Sequence, residues 1–232
     1  MGLNTLVRRL AARLPEEMQH RLRKRKQQRR LKGNDFNSEE PEFALMSELL
    51  APGDWAIDVG ANVGHYTLRM AAVVGPAGRV IAFEPVPATF EILAASCRRS
   101  GRTNITLINA AVSDTCAVVH MSVPITDTGM KNFYQASIVA DAPTNALQSV
   151  SALTLPVDAL PLPRVPKLIK IDAEGHELSV LRGMDKLIRQ HMPLLIVEAS
   201  NDEIGAHIRS VGYDVQVLPG SPNYLCRRPG QG

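Results

Sequence analysis

The chain has 232 residues, of which 45% are apolar and 21% charged, with a formal charge of +3 at neutral pH. These values are typical of one medium-sized soluble domain with a full core, and the absence of any apolar run of about 18 residues excludes a transmembrane helix. Three widely spaced cysteines (Cys97, Cys116, Cys226) argue against a disulfide framework and indicate a reducing, cytoplasmic location.

The positive charge is concentrated in residues 1–33, which hold 11 Lys or Arg and two acidic residues. Apolar residues within this segment recur at intervals of three and four, which predicts an amphipathic helix interrupted by Pro15. The members of this stripe are Leu3, Leu6, Val7, Leu10, Ala11 and Leu14. We therefore predict a basic helical arm over 1–33 and a single main domain over 34–232.

Three interpretations of the arm remain open. It could pack on the domain or on a partner subunit with a solvated basic face. It could attach peripherally to an anionic membrane, for which a basic amphipathic helix is suited. Nucleic-acid contact is the least favoured, because aromatic residues make up only 4% of the chain and none interrupt the basic run.

After a predicted helix over 41–50, the chain shows the pattern of a nucleotide-binding half-fold. Residues 55–59 read as a buried strand, 60–64 as a glycine-bearing turn, 66–74 as a helix and 80–83 as a second strand. Glu84 follows that strand, 24 residues after Gly60. An acid at this place is positioned to bind the hydroxyl pair of a ribose.

The residues of the turn decide between cofactors. A dinucleotide fingerprint requires glycines where this chain has Asn62 and His65, because a pyrophosphate must approach bare backbone. Asp58 adds a negative charge that suits a cationic ligand. The pattern therefore favours S-adenosylmethionine, with an unliganded or degenerate fold as the main alternative and NAD as a weaker one.

Further elements follow in chain order. Residues 87–100 are predicted as a helix, 105–108 as a strand and 117–123 as an extended run. Residues 124–150 are irregular and polar, with Phe133 and Tyr134 at their middle. A segment of this length is typical of a lid or a substrate loop, although a plain surface excursion remains an alternative.

The last third of the chain continues the alternation of strands and helices. We predict a strand over 168–172, one helix through Leu187, a strand over 193–198 and a helix over 202–210. Residues 213–218 and 224–226 are predicted to form a terminal hairpin.

Three predicted parallel strands end in carboxylates: Asp58, Asp172 and Glu198. Ligands of open α/β sheets bind beyond the carboxyl ends of the strands, so we expect these acids in one crevice. Helix capping is the alternative for any one of them. Lys170 shares a face with Asp172 and would need an anion if buried, so pairing is part of the expected role of Asp172. A divalent metal shared by Asp172 and Glu198 is a further alternative, although we predict none.

The combined motifs resemble those of the FkbM family of methyltransferases. The resemblance covers about residues 40–200 and lies in DVGANVGHYT (58–67), FEPVP (83–87), AVSD (111–114) and KIDAEGHE (170–177). It implies the Rossmann-like methyltransferase fold, an α/β fold with a mostly parallel seven-stranded sheet, helices on both faces and a C-terminal antiparallel hairpin. It also implies S-adenosylmethionine as cofactor.

Site residues follow from the same resemblance. It implies that Glu84 binds both ribose hydroxyls, that Ala111 and Val112 flank the adenine, and that Asp172 lies between cofactor and acceptor. Residues implied at the methionine half or beside the cofactor are Asp58, Gly60, Asn62, Gly64, Tyr66 and Pro85.

A methyl acceptor with a hydroxyl benefits from a base, and the candidates are Asp172, His176 and Glu198. His176 has an alternative role as a residue that only shapes the start of a helix. We expect O-methylation of a small-molecule, sugar or glycolipid hydroxyl, by a protein that is cytoplasmic or peripheral at the membrane through residues 1–30. An N- or RNA methyltransferase using the arm and a non-catalytic cofactor-binding module remain alternatives. The sequence predicts no oligomeric state.

Overall fold

The computed structural model describes residues 11–12, 14–32, 40–129, 131–139, 149–199 and 201–230. Most of the predicted apolar stripe of the arm and residues 140–148 of the predicted lid lie outside these ranges. The helices are α1 (Glu16–Lys32), α2 (Pro41–Leu49), α3 (His65–Val74), α4 (Pro87–Ser100), α5 (Glu177–Arg182), α6 (Asp185–His191) and α7 (Asp202–Ser210). The strands are β1 (Trp55–Val59), β2 (Arg79–Phe83), β3 (Ile105–Ile108), β4 (Ala111–Val112), β5 (Ala117–Ser122), β6 (Ser137–Val139), β7 (Ser149–Leu155), β8 (Leu168–Ile171), β9 (Leu194–Glu198), β10 (Asp214–Val217) and β11 (Asn223–Arg227).

The main sheet has seven strands in the order β10-β11-β9-β8-β1-β2-β3. β8, β1, β2 and β3 run parallel to one another and to β9, whereas β11 is antiparallel to both β9 and β10. This arrangement confirms the predicted fold class, including the terminal hairpin. The chain order reverses between β1 and β8, which is where the ligand crevice of such a sheet lies.

Helices cover both faces of this sheet because the central strands are apolar on both sides. Ile57 and Val59 of β1 pack with residues of α5, α6 and α7. Ala56 lies on the opposite face and packs with residues of α2 and α3. Alternation along a strand sends successive side chains to opposite faces, so a run that is buried on both faces forms a central strand.

A second sheet forms from a part of the chain that was predicted to be irregular. Its four strands have the order β4-β7-β5-β6, and β6 and β7 both derive from the segment 124–155. The expectation that 124–150 is irregular is therefore wrong for residues 137–139 and 149–150, whereas a role as a lid or a substrate loop stays a prediction. The polar composition of the segment concealed these strands, because one face of the sheet is exposed: Ser151 and Leu153 of β7 are exposed, whereas Ala152 between them is buried.

The helix predicted to run through Leu187 is two helices. α5 ends at Arg182 and α6 begins at Asp185, after Gly183. A Cβ at Gly183 would lie 2.0 Å from the Ser113 carbonyl oxygen, so the chain bends where it passes β4. The Asp158 carboxylate accepts hydrogen bonds from the first amides of α6, those of Lys186 and Leu187, and thereby stabilises the new helix start.

The basic helix α1 packs against α4. Lys24 Nζ lies 2.5 Å from Glu91 Oε1, and His20 Nε2 lies 2.7 Å from Glu91 Oε2. The guanidinium of Arg23 lies 4.5 Å from the centroid of the Phe133 ring. Within the ranges described above, no helix has the length and apolar character needed to cross a membrane.

Candidate active site

A cavity of about 250 Å³ lies at the carboxyl ends of β1, β2 and β8. The second sheet closes its far side, so the cavity lies between the two sheets. Predicted site residues that line it are Gly60, Asn62, Glu84, Pro85, Ala111, Val112, Asp172 and His176. Four others, Asp58, Gly64, Tyr66 and Glu198, do not.

The turn after β1 forms the floor of the cavity and depends on Gly60. Gly60 has φ +77°, and a Cβ there would lie 1.8 Å from the Asp172 carbonyl oxygen. The amides of Gly60 and Ala61 both donate to the Phe83 carbonyl oxygen, at 3.1 and 2.8 Å. Because backbone from β1, β2 and β8 meets at this point, only a residue without a side chain fits.

Glu84 is held in a fixed orientation by the backbone around it. Its Oε2 accepts from the Asn62 amide and its Oε1 from the Val86 amide, each at 2.9 Å. The Asn109 side chain donates to the carbonyl oxygens of Glu84 and Pro85 and thereby fixes the turn. Burial raises the pKa of Glu84 to about 7, although the two backbone hydrogen bonds act against the shift.

The opposite wall of the cavity is apolar. Ala111 and Val112 of β4 are buried, as the predicted adenine contact requires. Met121 of β5, Ile138 of β6 and Ala136, which directly precedes β6, complete this wall. The sequence analysis missed these three residues, because their role depends on strand pairing between distant segments, although the alternation in 117–123 indicated an extended run.

A buried lysine links two of the predicted carboxylates. Lys170 Nζ lies 2.8 Å from Asp172 Oδ2, which confirms the expected pairing. Lys170 also lies beside Asp58 in the register of β1 and β8. Burial alone would lower the pKa of Lys170, but the charges of Asp172 and Asp58 outweigh it and raise this pKa.

Asp58 is fully buried and does not line the cavity. Its Oδ2 accepts from Thr67 Oγ1 at 2.5 Å, while its Oδ1 has no hydrogen-bond partner among the described residues. Burial raises the pKa of Asp58, and Lys170 acts against this shift. A buried carboxylate oxygen without a donor is costly, so a cation or an N–H donor that approaches this oxygen would stabilise the charged form of Asp58.

Acidic side chains gather where β8 and β9 end. Glu177 is fully buried and accepts from the amides of Ala173 and Gly175 at 3.0 Å each, which shapes the loop after β8. Glu198 is half-buried, and its pKa is raised to about 7 by burial and by the charges of Asp172, Glu174 and Glu177. Among the described residues, no three His, Cys, Asp or Glu side chains converge as a metal site.

His176 lies on the side of the cavity that Ala111 and Val112 line. Its Nε2 is 2.9 Å from Ser113 Oγ, directly after β4. Burial lowers the pKa of His176, with the charges of Asp114 and Glu177 acting against the shift, so the ring favours its neutral form.

Two further predicted residues support the site from outside the cavity. The hydroxyl of Tyr66 donates to Glu40 Oε2 at 2.5 Å, and Lys170 Nζ lies 4.5 Å from the Tyr66 ring centroid. Burial raises the pKa of Tyr66 far above its usual range. Gly64 has φ +96° and precedes α3, where a Cβ would lie 2.8 Å from the side chain of Leu93.

Comparison with known families gives a match over most of this fold. The family described as Methyltransferase FkbM domain matches residues 58–215. The matched range begins at Asp58 and includes both the cavity and the acidic cluster.

Individual relatives agree with this match. The Hexuronic acid methyltransferase AglP of Haloferax volcanii is 30% identical over 164 residues, which cover 71% of this chain and 63% of that protein. Methyltransferase FkbM from Methylobacillus flagellatus superposes with a TM-score of 0.54 at 19% identity, over 79% of this chain and half of that one. A methyltransferase from Geobacter sulfurreducens superposes with a TM-score of 0.51 at 15% identity, over 94% of both chains. This chain therefore spans less than two thirds of its first two relatives.

Proposed function

The chain belongs to the FkbM family of methyltransferases, and from this we propose that it transfers a methyl group from S-adenosylmethionine to a hydroxyl of a sugar or another small-molecule acceptor. The observation that carries the proposal is the fixed Glu84 carboxylate at the edge of the cavity. Its geometry suits a nucleoside, and the surrounding charges suit a cationic one.

The residues present fit this cofactor at its nucleoside end. Each carboxylate oxygen can accept two hydrogen bonds, and each oxygen of Glu84 receives one backbone donor. One ribose hydroxyl could therefore donate to each oxygen. The apolar wall around Val112 and Met121 offers the environment that an adenine ring requires.

The opposite end of the cavity favours positive charge. The Asp58 carboxylate carries an oxygen without a donor in the described part of the chain, and Asp172 lines the cavity. A sulfonium and an amino group would be stabilised by this potential, whereas a pyrophosphate would be repelled.

When bound, S-adenosylmethionine supplies a methyl carbon already activated by its sulfonium. The protein then has to align the acceptor oxygen, exclude water and receive a proton. We propose Glu198 for the last task, because it ends β9 just outside the cavity, close enough to the cavity-lining Asp172 for that charge to act on it, and its pKa is raised to about 7. Asp172 is a positioning residue in this scheme, since Lys170 already donates to its Oδ2.

This assignment predicts a specific dependence of the rate on pH. A base is active when deprotonated, so kcat should fall about tenfold per pH unit below about 7 and be level above it. Glu198→Gln should abolish this fall in rate at low pH. Asp172→Asn should move the fall to lower pH, because it removes a negative charge that raises the pKa of Glu198. Single-turnover rates at saturating cofactor between pH 5.5 and 8.5 would measure this, and an unchanged fall in Glu198→Gln would show that another group is the base.

For the acceptor we propose a sugar, and a hexuronic acid as the first class to test. The support is the relative at 30% identity, whose name states that substrate class. A hexuronic acid offers both a carboxylate and hydroxyls. The acidic end of the site would repel the carboxylate, and a base is needed only for a hydroxyl, so we expect an ether product and not an ester.

The decisive experiment uses S-adenosylmethionine with a labelled methyl group. The protein is incubated with cell extract and separately with hexuronic acids and neutral hexoses as free sugars and glycosides. We expect label in a glycan or glycolipid fraction that survives mild alkali, which cleaves methyl esters but leaves ethers intact. Label in RNA or in an amine would contradict the proposed glycan or small-molecule hydroxyl as acceptor, and alkali-labile label would indicate esterification.

A further inference from the structure

The helix α1 has two faces of different character. Its inner face carries Gln19 and Gln27, which are buried, together with Lys24 and His20, which contact Glu91 of α4. This face is polar: His20 and Lys24 contact the domain, and the Gln19 side chain donates to the carbonyl oxygens of Ala12 and Leu14. These contacts involve neither Met18 nor Leu22, the large apolar side chains of α1 that the structure describes.

Those apolar side chains lie on the outward face. Met18 and Leu22 are 47% and 46% exposed and lie one helical turn apart. Arg21, Arg25 and Arg29 are exposed on the same side. At 100° per residue, all five fall within about 100° of the helix circumference. We call these five residues the outward face of α1.

The charge on this face is not balanced locally. No acidic residue occurs between Met18 and Lys32, whereas residues 34–232 hold 15 Lys or Arg and 21 Asp or Glu. Across the ranges that the structure covers, Arg21, Arg25 and Arg29 form no ion pair. An anionic surface would attract α1 and repel the rest of the chain, which would orient the molecule.

We propose that the outward face of α1 binds the surface of an anionic lipid bilayer. Arginines beside exposed apolar side chains fit this partner, because the guanidinium groups contact lipid headgroups while Met18 and Leu22 enter the interface. A nucleic acid would use the charges but offers nothing to the apolar pair, and α1 carries no Phe, Tyr or Trp for stacking on bases.

The position of α1 gives this attachment a consequence for the site. Arg23 of the same helix lies against Phe133, which lines the cavity. A protein bound through α1 would hold this edge of the cavity near the bilayer surface, where a lipid-linked acceptor would present its sugar. This consequence rests on the proposed function, whereas the binding itself does not.

Cosedimentation of the full chain with vesicles tests the proposal. We expect binding to vesicles containing phosphatidylglycerol, loss of this binding in high salt, and none to pure phosphatidylcholine. The triple variant Arg21→Gln, Arg25→Gln, Arg29→Gln should bind about a hundredfold more weakly. The matched control Arg164→Gln, Lys167→Gln, Lys186→Gln removes three exposed charges from the loop before β8 and from α6, and should bind as the parent protein does.

A second pair of variants tests the apolar contribution. Met18→Gln with Leu22→Gln should weaken binding about tenfold at every salt concentration. Val118→Gln with Leu153→Gln removes an exposed apolar pair from neighbouring strands of the second sheet, and should have no effect. Melting temperature and cofactor affinity should be unchanged in all four variants, because the altered side chains are exposed and lie outside the site.

The proposal is overturned if vesicle binding is absent, or if each α1 variant binds as its control does. It is equally overturned if the chain binds an RNA homopolymer through the three arginines but binds no vesicle. Cofactor affinity is measured on the same samples, so failure of membrane binding leaves the methyltransferase proposal standing and separately tested.

Discussion

Replacing Glu84 by glutamine should weaken the binding of S-adenosylmethionine by about a hundredfold or more, because two hydrogen bonds to a charged group are lost or impaired. The two oxygens of Glu84 are each fixed by a backbone amide and are proposed to accept one ribose hydroxyl each. An amide in this place has only one acceptor oxygen, and its nitrogen faces a backbone donor. Isothermal titration calorimetry with S-adenosylmethionine and S-adenosylhomocysteine would measure the loss.

The raised pKa of Glu84 also predicts how the affinity for the cofactor changes with pH. Burial raises this pKa to about 7, so the carboxyl is partly protonated at neutral pH when no ligand is bound. Ribose hydroxyls require the ionised form as acceptor. Affinity should therefore rise by up to about tenfold per unit as the pH increases towards 7, and level off above it. The pH dependence of the affinity is also measured for Glu84→Gln. Any pH effect that arises from the ligand itself appears in both proteins and can be subtracted.

The control for this variant is Glu48→Gln, which removes the same charge from an exposed position on α2. It should bind the cofactor as the parent protein does. Equal affinity of Glu84→Gln and Glu48→Gln would remove Glu84 from the ribose site. Because the glutamine nitrogen costs about 1–3 kcal/mol of folding free energy when it opposes a backbone donor, binding is measured well below the melting temperature of the variant.

Gly60→Ala should abolish cofactor binding and destabilise the protein by about 3 kcal/mol. The added Cβ would lie 1.8 Å from the Asp172 carbonyl oxygen, and this atom belongs to the backbone, so it cannot rotate away. Overpacking of this kind typically costs about 1–3 kcal/mol, and the positive φ adds about 1 kcal/mol more. Relief of the clash would shift the ends of β1 and β8 apart, and the cofactor is proposed to bind directly beyond these ends.

Gly101→Ala provides a matched control for this steric effect. Gly101 also has a positive φ, +68°, but no atom lies within 4 Å of an added Cβ. The Gly101→Ala variant should lose only the stability that the positive φ costs an alanine, about 1 kcal/mol, and should retain full cofactor affinity. Urea unfolding and calorimetry of both variants separate the two contributions. Similar losses in both would show that the contact with Asp172 relaxes at little cost.

The sequence analysis located the nucleotide-binding half well because its signals are local. The residues of β1, α4 and β3 match the predicted ranges, since alternation, proline and glycine positions act within a few residues. The pairing of Lys170 with Asp172 was predicted for the same reason, because two residues on one strand share a face.

In the segment after β5, strand pairing between distant residues could not be predicted from local sequence patterns. β4 pairs with β7 through Ala111 and Thr154, and this contact creates the apolar wall of the cavity. No short window contains both partners. The cavity-lining residues Ala136 and Ile138 were therefore not identified from the sequence.

The roles of the site residues were likewise predictable from the sequence only in part. By itself, the sequence determined that glycines and acids stand at the carboxyl ends of parallel strands, because strand order and residue type are encoded locally. Only the tertiary structure decided which of these acids is exposed to the cavity. Asp58 is buried beside Lys170, His176 contacts Ser113, and Glu198 acquires its raised pKa from burial and from acids on a neighbouring loop. Burial and charge at a site depend on what other segments bring to it, and that is fixed only when the whole chain packs.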